Sequence, residues 1–156
     1  MTADPANQAG MRAGSAVKLG TRDYRLLSEF RYLIRCFLEF SETAAVRAGL
    51  TARQHQALLA IKGVREDAAP TIGYLAERLR VQHHSAVELV DRLVEAGLVV
   101  RVPDPGDRRR VKLELTASAE RHLAELSTSH LEELKRMRPA LLELLDQGEE
   151  MRTRKG

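Results

Sequence analysis

The clearest structural pattern in this 156-residue chain lies in Thr71–Thr116, TIGYLAERLRVQHHSAVELVDRLVEAGLVVRVPDPGDRRRVKLELT. In its first half, apolar residues recur at spacings of three and four, which predicts two short helices over residues 72–79 and 82–96. The segment LVVRV that follows is typical of a β-strand. The last six residues before Thr116 alternate charged and apolar side chains, which predicts a second strand. Two helices followed by a hairpin is the order of a winged helix-turn-helix.

The predicted hairpin carries a concentrated positive charge at its tip. PDPGD is a turn by composition, and the consecutive residues Arg108, Arg109 and Arg110 come directly after it. Three adjacent arginines on a turn cannot all point inward, and the narrow minor groove of DNA attracts such side chains. Asp104 and Asp107 are expected to pair with a neighbouring arginine and brace a long tip. A solvated charged hairpin without a partner is the alternative.

The second predicted helix begins with side chains that suit the edges of DNA bases. In a helix-turn-helix, the N-terminal end of this helix enters the major groove. Here that end consists of Gln82, His83, His84 and Ser85. Gln can pair with adenine, and Ser and His can donate or accept hydrogen bonds. Arg92 lies on roughly the same outward side and suits a phosphate.

Long helices are predicted on both sides of this module. An unusually broad apolar face runs through residues 21–48 and ends at Gly49. A second helical region starts at residue 117, and Arg138-Pro139 is expected to interrupt it before a short, nearly all-apolar helix, ALLELL. Faces this apolar need a cover, and a second copy of the chain is the natural candidate.

The predicted fold is therefore mostly α (α+β), a winged helix-turn-helix with long N- and C-terminal dimerisation helices. Its expected segments are a flexible N-terminal arm (1–20), a dimerisation helix (21–49), a DNA-binding lobe (50–116), C-terminal dimerisation helices (117–147) and a flexible tail (148–156). The arm has no periodicity and is expected to be an ordinary disordered terminus, with a DNA-grasping arm as the alternative.

Composition limits the class of protein. The hydrophobic fraction of 44% is that of a globular chain, and aromatic residues at 4% leave the core to aliphatic side chains. The net charge of +3 suits an anionic partner. Cys36 is the single cysteine, so an internal disulfide is excluded, as is common in a reducing cytoplasm. Since no apolar run approaches the roughly 20 residues that cross a bilayer, a cytoplasmic protein without a membrane partner is expected.

Three segments resemble the MarR family of transcriptional regulators. They are GLTARQHQALLAI (49–61), LVDRLVEAGLVVR (89–101), and the wing run from Asp104 to Arg109 followed by Leu115-Thr116. The resemblance covers about residues 22–146. It implies a homodimer with interlocked terminal helices, whose two winged modules occupy successive major grooves of a pseudo-palindromic operator. It further implies that Arg108 or Arg109 enters the minor groove and that Asp104 braces it.

The recognition helix departs from the family pattern. Many members have Thr and Arg where this chain has Val87 and Glu88, and small residues where it has His83 and His84. A carboxylate repels phosphate, so Glu88 must read a cytosine amino group, pair with a basic neighbour, or point away from DNA. The base contacts are therefore left open.

The resemblance also implies a small-molecule effector, often an aromatic carboxylate or a related anion, bound between the dimerisation helices and the winged lobe. Tyr24, Arg47 and His55 are candidate effector-binding residues, with ordinary surface roles as the alternative. The predicted function is a sequence-specific DNA-binding transcriptional regulator, a repressor that such an effector releases.

Other functions remain as alternatives. Cys36 could sense oxidants, although its apolar neighbours favour a buried, inert thiol. The five histidines lack the i, i+4 pairing of a zinc site, so no metal is expected, and a metal-sensing regulator of the same fold is kept as an alternative. A winged-helix protein-interaction module without DNA is the third possibility. The sequence has no Ser/His/Asp order, HExxH or phosphate-cradling loop, so neither catalysis nor a cofactor is expected.

Overall fold

The structure, a computed structural model, describes residues 19–153, except for the side chains at positions 108 and 149–153. Most of the predicted N-terminal arm and the last three residues of the predicted tail lie outside the described residues. The elements, in chain order, are α1 (Thr21–Arg47), α2 (Ala52–Lys62), α3 (Ile72–Leu79), α4 (His83–Glu95), β1 (Val99–Asp104), β2 (Asp107–Leu115) and α5 (Ala117–Thr153). The predicted fold class is confirmed: a mostly helical chain with one two-stranded antiparallel sheet.

Threonine caps fix where three of the helices begin. At α2, the backbone amide of Gln54 donates to the Thr51 hydroxyl at 3.1 Å, and the backbone amide of Thr51 donates to the side-chain oxygen of Gln54 at 2.9 Å. This capping box satisfies two amides that the helix leaves free. Thr71 and Thr116 accept amide hydrogen bonds at 3.2 Å at the starts of α3 and α5. Thr51, Thr71 and Thr116 therefore define the starts of α2, α3 and α5.

The core of the winged lobe lies where α2, α3 and α4 meet the sheet and the first part of α5. Its largest fully buried side chains are Leu58, Leu75, Val90, Leu93, Val99 and Leu113. Every helix and strand of the lobe supplies at least one of them. The Leu113 amide also donates to the Pro70 carbonyl at 2.8 Å, which ties β2 to the connection before α3. The lobe is therefore a single packed body that holds α4 and the hairpin in place.

The hairpin tip differs from the expected long turn. Asp104 pairs with Asp107, so Pro105–Gly106 forms a two-residue turn. An oxygen of Asp104 accepts the Gly106 amide at 3.0 Å, and this bond closes the turn within so few residues. The next pair is Pro103 with Val111, so the backbone of residues 108–110 bulges out of β2.

The predicted break at Arg138-Pro139 is wrong. α5 runs without interruption from Ala117 to Thr153, with Pro139 inside it, and it passes residue 148, where a tail was expected. A proline removes one helical hydrogen bond. The apolar stripe nevertheless continues through Leu141 and Leu144, which line a groove together with Leu26 of α1. Packing against α1 along this stripe offsets the missing hydrogen bond.

α1 presents an apolar face that the single chain leaves open. Its large side chains are between 42% and 60% exposed at Tyr24, Leu27, Phe30, Ile34 and Leu38. Leu142 and Leu145 of α5 are exposed beside them. A contiguous apolar surface of this kind marks an interaction site rather than an ordinary protein surface. Across residues 19–153, no helix has the length and hydrophobicity of a membrane span.

Candidate nucleic-acid interface

The turn between α3 and α4 depends on one strained residue. Arg80 has a φ of 55°, a left-handed conformation that is uncommon for a residue with a Cβ. Its amide donates to the Glu77 carbonyl at 3.1 Å, and the Val81 amide donates to the Ala76 carbonyl at 3.0 Å. These bonds end α3 abruptly and allow α4 to start three residues later in a new direction. The Arg80 side chain is exposed at this corner.

The N-terminal end of α4 is accessible to a ligand. Gln82 is its N-cap residue, and the Gln82 side chain makes no capping hydrogen bond. Gln82, His83 and His84 are exposed, and Ser85 is half-buried. The free amides and the positive end of the helix dipole at this position attract phosphate. The structure thus brings these four predicted contacts together at one helix end.

Glu88 and Arg92 face each other one turn apart on α4. The Arg92 Nη2 and Glu88 Oε2 atoms are 3.8 Å apart, and both side chains are mostly exposed. Of the three roles considered for Glu88, the geometry is that of pairing with a basic neighbour. An exposed pair of this type is weak, so the guanidinium can exchange Glu88 for a phosphate at little cost.

A cleft of about 650 Å³ separates α4 from the beginning of α2. Its lining combines the expected DNA-binding side chains of α4 with residues of other elements, namely Thr51, Arg53, Gln54, Arg80, Val81, Gln82, Ser85, Glu88, Leu89 and Arg92. Arg53 and Arg80 are functional candidates that the sequence reasoning missed. Their charge was visible in the sequence, but no local pattern places the start of α2 beside α4.

Among the described side chains of the wing, Asp104 pairs with a lysine. Its side chain is buried, accepts the Gly106 amide at 3.0 Å, and lies 3.1 Å from the Lys112 ammonium. The Gly106 amide, followed by Lys112, holds the pKa of Asp104 below its ordinary value. Lys112 pairs with Val102 in the ladder and so shares the Asp104 face. The charge of Arg110 also lowers the pKa of Asp104, and pairing with an arginine stays a prediction.

The bulge after the turn presents the arginines. The backbone amide of Arg109 donates to the Asp107 carboxylate at 3.0 Å, so Asp107 holds the backbone of the bulge. The sequence had suggested an arginine side chain as the partner of Asp107. Arg109 and Arg110 are exposed. The side chain of Arg108 lies outside the described residues, and its groove contact stays a prediction.

An ion pair connects the wing to the recognition helix. Arg101 of β1 approaches Asp91 of α4, with 2.6 Å between Nη2 and Oδ1. The pair is partly exposed, so its contribution to stability is small. It restricts the angle between the hairpin and α4, which sets where the arginines of the wing lie relative to Gln82.

The candidate effector residues do not come together. Tyr24 and Arg47 lie at opposite ends of α1, about 35 Å apart at the rise of an α-helix, and both are exposed. His55 is only 3% exposed, and its ring stacks at 4.7 Å against that of His130 in α5. Sequence reasoning assigned no role to His130, since nothing in the local pattern places it beside α2.

Cys36 is half-buried, although the sequence favoured a buried thiol. The reason is that the outward face of α1 is uncovered in the single chain. A hydrogen bond with this cysteine is the main cause that raises the pKa of Tyr32, one turn earlier. Within the described part of the chain, no group of three or more His, Cys, Asp or Glu side chains has the arrangement of a metal site.

Comparison with known proteins finds related sequences and structures with this geometry. The model of the MarR family matches residues 48–110, from the end of α1 to the wing. The uncharacterized HTH-type transcriptional regulator YsmB of Bacillus subtilis (strain 168) is 37% identical over 67 residues, 43% of this chain and 46% of YsmB. The chain thus spans less than half the length of the curated relatives it matches.

Two solved structures share the fold over most of the chain. CouR from Rhodococcus jostii, bound to p-coumaroyl-CoA, aligns with a TM-score of 0.61 and 23% identity over 81% of this chain and 93% of CouR. A MepR variant from S. aureus, bound to an oligodeoxyribonucleotide, aligns with a TM-score of 0.56 and 20% identity over 84% of this chain and 91% of MepR. In its winged module this chain is similar to the MarR family, and in its overall fold it is similar to solved structures of winged helix-turn-helix regulators.

Proposed function

We propose that this protein is a sequence-specific DNA-binding transcriptional regulator of the cytoplasm, a repressor that a small-molecule effector releases. One observation carries the proposal: the starts of α2 and α4 place basic and amide side chains around one cleft, namely Arg53, Arg80, Gln82 and Arg92. The wing adds two further exposed arginines, Arg109 and Arg110. The fold likeness to MepR, which was solved bound to an oligodeoxyribonucleotide, supports it.

In this proposal, α4 enters the major groove, which is about 12 Å wide and admits one helix. Gln82 and His83 then meet base edges, while Arg92 exchanges Glu88 for a phosphate. Arg53 and Arg80 border the cleft and contact the sugar-phosphate backbone on either side of α4. Phosphate contacts of this type set position and most of the affinity, and the base contacts set specificity.

The wing supplies the second groove contact in the proposal. Arg109 extends from the bulge into the minor groove, where the negative potential is strongest. The bulge holds this arginine at small entropic cost, because Asp107 binds its amide and Asp104 closes the turn beside it. The Asp91–Arg101 pair keeps the hairpin at a set angle to α4.

The active unit in the proposal is a homodimer. The apolar face of α1, with the exposed leucines of α5, matches a second copy of itself, because a two-fold interface uses the same patch on both subunits. Two recognition helices would then bind half-sites about 34–36 Å apart, which requires a pseudo-palindromic operator.

The effector in the proposal is a small, largely aromatic anion. CouR, which shares the fold, was solved bound to p-coumaroyl-CoA. An effector of this type releases DNA only if it binds the conformation that does not fit DNA more tightly. Of the three candidate residues, His55 is the one at the junction of the winged lobe with α5, whereas Tyr24 and Arg47 remain separate proposals.

Binding to labelled DNA tests the proposal. The full chain is titrated into the DNA upstream of its own gene and into random DNA of equal length, each at several salt concentrations. We expect the upstream DNA to bind at least about a thousandfold more tightly, with affinity falling steeply as salt rises. Equal affinity for the two DNAs would contradict the proposal.

A further inference from the structure

Two histidines occupy the interior of the molecule where the winged lobe meets the terminal helices. Among the described residues, the buried polar or charged side chains are His55, Asp104 and His130. Asp104 belongs to the wing. The rings of His55 of α2 and His130 of α5 pack against each other in a tilted arrangement, with centroids 4.7 Å apart and planes inclined by 52°. The wing does not explain this pair, and the DNA-binding surface does not include it.

His130 connects α5 to α1. In the neutral tautomer that fits the geometry, its Nδ1 donates to the Leu126 carbonyl at 2.6 Å, and the Ser41 hydroxyl donates to its Nε2 at 2.8 Å. Phe37 and Phe40 of α1 set their ring edges against it at 5.9 and 5.3 Å. His55 completes a contact among three helices, which we name the histidine joint: Phe37, Phe40, Ser41, His55 and His130.

The joint favours a neutral His55. Burial lowers the pKa of His55, and the facing His130 lowers it further. From α1 the joint receives the uncharged Ser41 and two phenyl rings, and within the described residues no charged group of α3 or β2 acts on His55. Glu133, the carboxylate one turn beyond His130, is engaged by Arg136. A proton on His55 therefore has no carboxylate to offset its burial.

The joint and the DNA cleft share one turn of helix. Arg53 and Gln54 line the cleft, and the next residue, His55, points into the joint. The far end of α2 is held to α5 by Lys62 and Glu120, whose Nζ and Oε1 atoms are 2.5 Å apart. A loosened joint would leave α2 held at that end and by Leu58 in the core of the lobe, and would release only its first turn, which lies beside α4.

We propose that the histidine joint is an acid-sensitive switch: protonation of His55 loosens α2 from α1 and α5, displaces Arg53 and Gln54, and lowers affinity for the operator. This inference rests on the proposed function for its last step only. The joint itself is a property of the fold.

The direction of the pH effect follows from the linkage between proton binding and the stability of the joint. The pKa of His55 is lower in the folded protein than in the open or unfolded chain, where it is about 6.5. The open forms therefore bind more protons in the interval between the two values. The joint is fully intact above about pH 6.5 and is lost as the pH falls through the lower, folded value.

The experiment compares the full wild-type chain with His55→Gln at about pH 7.5 and about pH 5.5, on either side of the imidazole range. Operator affinity is measured by fluorescence anisotropy, and the melting temperature by circular dichroism without DNA. His83 and His84 on the surface are common to both proteins, so their effect on DNA binding cancels in the comparison. His122→Gln, a half-buried α5 histidine outside the joint, is the matched control.

We expect acidification to weaken operator binding about tenfold more in the wild type than in His55→Gln, with His122→Gln behaving as the wild type. Equal pH dependence in the wild type and His55→Gln overturns the switch.

Without DNA, the melting temperature should fall further on acidification in the wild type than in His55→Gln, and equal falls overturn the joint. This second comparison stands even if no specific operator exists, so the two proposals fail separately. Should His55→Gln not fold, His55→Phe and an NMR titration of the His55 ring in the wild type replace it, and a ring that titrates at its ordinary value overturns the proposal.

Discussion

At the scale of single residues, the interface depends on how side chains are held as much as on which ones are present. Asp107 binds the Arg109 backbone, and Asp104 closes the turn beside it, so the exposed arginine projects from a fixed base. Glu88, the unexpected acid on α4, faces Arg92 and leaves the N-terminal end of the helix clear. The pairing explains how a carboxylate is tolerated on a surface for which we propose DNA binding.

Arg109→Ala should weaken operator binding by about 1–3 kcal/mol, because one groove contact is lost. The slope of the logarithm of the binding constant against the logarithm of the salt concentration should become shallower by about one. Fluorescence anisotropy over a salt series measures both. Arg65→Ala is the matched control, since Arg65 is an exposed arginine that pairs with Asp67 away from the cleft. Unchanged binding by Arg109→Ala would show that the wing assignment is wrong.

Asp104→Asn should destabilise the protein at neutral pH and make no difference in strong acid. In the folded protein the pKa of Asp104 lies below its ordinary value of about 3.9. The ionised side chain therefore contributes fully to the free energy of unfolding above that ordinary value, and this contribution is lost as the pH falls through the folded pKa. Urea midpoints across this range measure the effect, with the exposed Asp67→Asn as the control. A difference between variant and wild type that persists unchanged into strong acid would count against the bracing role.

At the scale of elements, local rules predicted most boundaries and failed where tertiary packing prevailed. The apolar spacing predicted α3 and α4. The rule that proline ends a helix failed at Pro139, because the stripe continuing through Leu144 packs against α1. Arg53, Arg80 and His130 could not be found as site or joint residues, since each matters through a neighbour distant in the chain.

Pro139→Ala tests the continuity of α5. If the helix passes through this position, the substitution restores a hydrogen bond and should raise the free energy of unfolding by about 1–3 kcal/mol. Urea denaturation measures the change. The control, Ala124→Pro at an exposed interior position of α5, should lower stability by about 3 kcal/mol. No gain from Pro139→Ala would indicate that α5 is broken there.

At the scale of the whole molecule, the open apolar face of α1 and α5 is the feature that a single chain does not explain. The winged lobe has its own core, and the long helices extend from it with exposed Leu27, Phe30 and Leu145. A second copy would cover this face and place two recognition helices side by side, which connects the terminal helices to operator recognition.

Phe30→Glu should convert the proposed dimer to a monomer and weaken operator binding at least about tenfold, because a buried charge without a partner disfavours the interface. Analytical ultracentrifugation measures the assembly. Leu59→Glu is the matched control, since Leu59 is an exposed leucine of α2 outside the apolar face. A Phe30→Glu protein that remains dimeric would place the interface elsewhere.

Hydroxyl-radical footprinting of the bound operator tests the DNA-reading surface most directly. The geometry predicts two protected half-sites with centres about 10 base pairs, or a whole number of helical turns, apart. The minor groove flanking each half-site should be protected as well, and that flanking protection should disappear in Arg109→Ala while the central protection remains. Uniform cleavage along the DNA at saturating protein, or flanking protection that persists without Arg109, would contradict the account.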